Sequence, residues 1–210
     1  MRMDYKTVKQ QGEAEILINK SRFIASVRRT ETEQEALEFI QEIKQNHASA
    51  THNCSAYLIG EQDNIQKAND DGEPSGTAGF PMLEVLKKQG LKDTTVVVTR
   101  YFGGIKLGGG GLIRAYGRST TEGVAAAGIV ERVLHSSMSV TVDYTALGKV
   151  ENEVRQSEWP LDRIEYGEHV TLHIFVPASE VEQFKGWIAD LTNGQAEVSE
   201  DEPKFLEFSV

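Results

Sequence analysis

Two periods of apolar residues divide this chain into elements. Residues 13–18 (Glu-Ala-Glu-Ile-Leu-Ile) and 22–29 (Arg-Phe-Ile-Ala-Ser-Val-Arg-Arg) have the character of strands, joined by a short turn at Asn19-Lys20-Ser21. From Thr32 the period becomes helical. Ala36, Leu37, Phe39, Ile40 and Ile43 share one face, Glu and Lys the other, and Thr32 with Glu35 forms a capping box at the start. The helix is expected to end near Asn46-His47. Strands are expected at 55–60 and 65–68, around a turn at Gln62-Asp63-Asn64. Gly79-Phe80-Pro81 opens a helix carrying Met82, Leu83, Val85 and Leu86; Gly90 closes it behind Lys87-Lys88, whose charge suits the last turn. Residues 94–101 hold three valines in an unbroken apolar run, which predicts a strand buried on both faces. An alanine-rich helix is expected over 112–127, ending at Gly128.

From Met138 the pattern resets. Strand 139–144, helix 145–157, strands 164–167 and 170–176, helix 179–191, and strand material at 196–198 and 205–210 give the order strand–helix–strand–strand–helix–strand. That order is the ferredoxin-like pattern. The expected fold class is α+β, with one domain over 1–134 and a second over 135–210.

Composition adds bounds. A chain of 210 residues builds one large or two modest cores, and 39% hydrophobic with 26% charged residues is ordinary for a soluble protein. The start of the chain is polar, without the apolar core of a signal peptide, and no apolar run approaches the roughly 20 residues that span a bilayer. Cys54 is the single cysteine, so no internal disulfide forms. Cytoplasmic placement and no membrane partner are the expectations. The net charge of −10 is uneven: residues 135–210 hold 15 acidic and 5 basic residues, whereas 1–134 hold 17 of each. Residues 87–118 carry seven basic residues against Asp93, a local basic centre suited to phosphate.

The chemistry concentrates between Asp70 and Arg118. On the basic side stand Arg100, Tyr101, Gly103, Gly104, Lys106, Gly108, Gly109, Gly110, Gly111 and Arg114. A glycine-rich turn leading into a helix offers free backbone N–H groups to an anion, and Lys106 with Arg114 adds charge. The pattern is neither a Walker A loop nor a Rossmann fingerprint. The competing reading is that these glycines permit tight packing. On the acidic side lie Asp70, Asp71, Glu73, Ser75 and Thr77. Three carboxylates in four residues suit Mg²⁺ or a general base, but the same residues are ordinary turn formers, and the structural reading is preferred. No metal and no cofactor are expected. His52-x-Cys54 reads as a strand pair, since i and i+2 on a strand lie about 7 Å apart, too far for a nucleophile and its base. Tyr101, Phe102 and Tyr116 are candidates for base stacking, but aromatics so placed are more often core fillers, and that reading is preferred.

Asp-Asp-Gly-Glu-Pro-Ser-Gly-Thr-Ala-Gly-Phe-Pro (70–81), Val-Thr-Arg-Tyr-Phe-Gly-Gly-Ile-Lys-Leu-Gly (98–108) and Gly-Gly-Leu-Ile-Arg-Ala-Tyr (110–116) resemble the signature of the IMPACT/YigZ family. Lys-Ser-Arg-Phe-Ile-Ala (20–25) and Ala-Thr-His-Asn-Cys-Ser-Ala-Tyr (50–57) match it as well. The resemblance implies an N-terminal domain like the second domain of ribosomal protein S5 and a C-terminal domain like the last domain of the translocase elongation factor. It also implies a role in regulating translation. The expected function is a non-enzymatic regulator that binds RNA, ribosome or a translation factor through the basic glycine-rich face. The alternative is an enzyme acting on a phosphorylated small molecule through the same loop.

Overall fold

The computed structural model describes residues 4–210; the polar start of the chain, residues 1–3, lies outside them. In chain order the elements are β1 (Tyr5–Val8), β2 (Gly12–Ile18), β3 (Ser21–Arg29), α1 (Glu33–Asn46), β4 (His52–Ile59), β5 (Ile65–Asn69), α2 (Gly79–Lys88), β6 (Thr94–Tyr101), α3 (Gly108–Ala127), β7 (Ile129–Val142), α4 (Tyr144–Gln156), β8 (Leu161–Tyr166), β9 (Val170–Pro177), α5 (Val181–Thr192), β10 (Glu197–Glu200) and β11 (Lys204–Ser209). The chain is mixed α/β with antiparallel sheets. It divides into two compact units, one running through Arg132 and including Phe208–Val210, the other Val133–Glu207. Among the described residues no helix is long and apolar enough to cross a membrane.

The first unit is a five-stranded sheet in the order β2-β3-β6-β4-β5. The valine strand β6 is central, and helices cover both its faces. Val96 and Val98 pack with Phe23, Ala25, Cys54 and Ala56 under Met82 and Leu86 of α2 and Tyr116 and Val124 of α3. Val97 points the other way, to Phe39 and Ile43 of α1. This two-sided burial is why β6 shows no alternation. Burial of each large apolar side chain contributes about 1.5–3 kcal/mol.

The hairpin between β2 and β3 turns on Asn19 (φ 47°) and Lys20 (φ 64°), the left-handed pair of a type I′ turn. Thr32 caps α1 by accepting from the Glu35 amide at 3.2 Å, but Glu35 returns its bond to the Glu31 amide at 2.7 Å. β1 carries no sequence signal of its own and pairs with Ile129–Arg132 of β7. β7 begins at Ile129, directly after Gly128 (φ 70°), rather than at Ser139. Gly108–Gly111 form the first turn of α3 instead of a loop before it.

In the second unit the order is β7, α4, β8, β9, α5, β10. The strands lie side by side as β10-β7-β9-β8. Met138, Val140, Leu172 and Ile174 meet Val150 and Val154 of α4 and Phe184 and Ile188 of α5. Trp159 packs edge-on against Phe184 with centroids 5.0 Å apart.

Candidate functional site

The site forms where β6 ends. Sheet register places Arg100 between Phe23 of β3 and His52 of β4. Arg100 is 5% exposed, and its guanidinium donates to Glu73 Oε1 at 2.6 Å. Tyr116 Oη donates to the same oxygen at 2.8 Å, and Cys54 Sγ donates to Tyr116 Oη at 3.4 Å. The Arg100 guanidinium also lies over the rings of Phe23 and Phe102, at 5.3 and 5.4 Å. Burial pushes the Cys54 thiol up to about 12 and raises the Tyr116 phenol further. Cys54 thus stays a thiol, and His52 turns away from it, bonding Asp71 O through Nδ1 at 2.8 Å. The pair is structural on the Cys54 side. Arg100 corrects the expectation of an exposed basic face: its charge is buried and neutralised by Glu73.

Each carboxylate of the acidic loop has its own task. Asp70 accepts from the amides of Gly76, Ala78 and Gly79 at 2.8, 3.0 and 2.8 Å, and so caps α2, whose N-cap residue Ala78 has no side chain able to do so. Burial works to raise the Asp70 pKa, but the amides of Gly76, Gly79 and Ala78 together hold it below the ordinary value. Asp71 stands at φ 44° and joins Lys44 Nζ at 2.9 Å and the Asn53 amide at 2.7 Å. Burial again opposes, and these partners lower its pKa. Thr77 donates to Pro74 O at 2.6 Å, and Ser75 is exposed. The loop is a latch. Among the described residues no group of three or more His, Cys, Asp or Glu converges on a metal position.

Above this network opens a cavity of about 410 Å³, lined by Thr51, His52, Glu73, Pro74, Arg100, Phe102, Lys106, Leu107, Gly108, Gly109 and Leu112. The N-terminus of α3 borders it. Leu107 gives that helix no side-chain cap, and its first turn holds no acid. Gly108, Gly109 and Gly110 are exposed, as are Lys106 and Arg114, neither of which has an ion-pair partner among the described residues. A 20-residue helix ending so presents free N–H groups and partial positive charge.

The remaining candidates divide. Gly110, Gly111 and Arg114 sit on the same helical turn and the next, outside the cavity lining. Tyr101 belongs elsewhere: its hydroxyl meets His47 Nδ1 at 2.9 Å and its ring lies under Arg22. Gly103 is a packing glycine, since a Cβ there would lie 2.0 Å from the Lys20 carbonyl carbon and its amide donates to Ser21 Oγ. Gly104 (φ 85°) turns the chain in open space. Sequence reasoning missed Thr51 and the cavity-facing role of His52, which follow from β4 pairing beside β6.

A second constellation was also missed. On the second unit's sheet, Ser139 Oγ lies 3.0 Å from His173 Nδ1, and His173 Nε2 lies 3.3 Å from Glu165 Oε1. Ser139 gives its proton to Asp201 Oδ2 at 2.6 Å, the opposite of what a histidine general base requires.

The matches to known proteins follow this division. The model of the Impact N-terminal domain matches residues 19–124, and that of a domain of unknown function (DUF1949) matches 140–195. These define a two-part protein of the Impact type. The chain belongs to the IMPACT family: it is 60% identical to IMPACT family member YvyE of Bacillus subtilis (strain 168), over 98% of this chain and 95% of that one. It is 33% identical to IMPACT family member YigZ of Escherichia coli (strain K12), over 86% and 90% of the two chains. A crystal structure of a hypothetical protein superposes with a TM-score of 0.60 at 29% identity, covering 96% and 99%.

Proposed function

We propose that this protein is a non-enzymatic, cytoplasmic regulator of translation that binds RNA through the glycine-rich start of α3. The observation that carries this reading is the uncapped helix N-terminus, open at Gly108–Gly110, beside Lys106 and Arg114 with no acid in its first turn. Phosphate oxygens gain charge-assisted hydrogen bonds at such a place. Kinship with the IMPACT family supports the link to translation. The strand order β10-β7-β9-β8 supports reading the second unit as ferredoxin-like, and the helix-flanked sheet of the first is in keeping with the second domain of ribosomal protein S5. An enzymatic role finds less support, because Cys54 is held as a thiol and Glu73 is engaged by Arg100 and Tyr116. The test is a binding isotherm against ribosomes or ribosomal RNA at several salt concentrations. Affinity that is absent at low salt would overturn the reading.

A further inference from the structure

Resting on that reading, we propose that the cavity beside the α3 N-terminus seats one unstacked RNA base that bears an exocyclic amine, so that adenine, cytosine and guanine are accepted and uracil is refused. Glu73 is 8% exposed and lines the cavity. Its Oε1 is saturated by Arg100 and Tyr116, while its Oε2 accepts no hydrogen bond among the described residues. His52 Nε2 stands 3.8 Å from Oε2, beyond hydrogen-bond reach. His52 Nδ1 faces the carbonyl of Asp71, which only accepts, so Nδ1 carries the ring proton. In the neutral ring the lone pair then lies at Nε2. Two acceptors therefore stand side by side in the cavity lining. A nitrogen with two hydrogens satisfies both at once, whereas uracil offers a single N3–H between two carbonyls, which serves one acceptor and sets a carbonyl against the other.

The surroundings suit a nucleotide. About 410 Å³ falls within the roughly 300–1,000 Å³ of small-ligand pockets. Pro74, Leu107 and Leu112 give apolar walls, and Phe102, 46% exposed, offers an aromatic face for stacking. Lys106 and the Gly108 and Gly109 amides stand at the same cavity for the phosphate. A nucleotide carries a neutral amine and an anion together. A peptide amine would bring a cation to the positive end of α3, which disfavours it.

The test is fluorescence anisotropy with the full chain at pH 8 and labelled hexanucleotides: hexa-adenylate, hexacytidylate, hexauridylate, and a hexamer of purine riboside, which lacks only the amine of adenosine. Hexa-adenylate and hexacytidylate are expected to bind at least about tenfold tighter than the other two, because buried acceptors left unmade penalise the wrong base. His52→Ala should bring the ratio of hexa-adenylate to hexauridylate affinity towards one; if that variant fails to fold by circular dichroism, the four RNAs on the unaltered protein decide. Equal affinity for all four, with a salt dependence that Lys106→Ala with Arg114→Ala reduces, would overturn the base pocket and leave the RNA reading standing. No RNA binding, or capture of a lysine-bearing peptide instead, would overturn both.

Discussion

Glu73 and Arg100, 27 positions apart in the chain, meet at 2.6 Å with side chains 3% and 6% exposed. A buried pair of this kind is costly to break, because the survivor keeps its charge in the interior without compensation. Glu73→Ala is expected to lower unfolding stability by about 3–5 kcal/mol in urea titrations. A loss below about 1 kcal/mol, the range of exposed pairs, would show that the network is not a structural keystone.

Lys106 and Arg114 are exposed and have no ion-pair partner among the described residues, so their loss should leave stability alone. The double variant Lys106→Ala with Arg114→Ala should melt with the unaltered protein yet lower the log–log salt slope of RNA association by up to about 2. An unchanged slope in a normally folded variant would place phosphate contacts on another surface.

Acid should loosen the latch at Asp70 and Asp71. Both carboxylates have folded pKa values below the ordinary aspartate value, so their stabilisation is complete above the unfolded value and is lost as pH falls through the lower folded one. Asp70→Ala, which uncaps α2, should cost about 0.5–2 kcal/mol near neutral pH. Denaturation curves from pH 6 down to pH 2 should show that difference shrinking once Asp70 is protonated. A constant difference across this range would mean that the charge of Asp70 contributes nothing.

The glycines of the motif are not interchangeable. Gly103→Ala drives a Cβ to within 2.0 Å of the Lys20 carbonyl carbon, so loss of the fold or a large fall in Tm is expected. At Gly109 the nearest atom would be Thr77 Cγ2 at 3.9 Å, and alanine there should be neutral or stabilising by up to about 1 kcal/mol. Thermal melts of the two variants check the contrast.

Cys54 is fully buried with its thiol raised to about 12, so thiol reagents at pH 8 should label it only as fast as the first unit opens. Rapid labelling of the native protein would contradict that packing.

The sequence by itself determined the elements whose signals are local. The valine run of β6, the amphipathic face of α1 with its Thr32 cap, the Asn19-Lys20 turn and the second unit's strand–helix order need only neighbours along the chain to be read. It also marked the glycine and acidic motifs as the candidates for chemistry. Tertiary structure alone decided what those residues do. Arg100 looked like a surface cation until β6 paired beside β3 and β4 and Glu73 arrived beneath α3. Asp70 looked like a metal ligand or a turn residue until three amides at the start of α2 closed on it. Four successive glycines disfavour a helix, and only the burial of Leu112, Ala115 and Tyr116 farther along carries α3 back through Gly108. A charge's role depends on which distant group removes its water, and that is set by sheet register and helix packing.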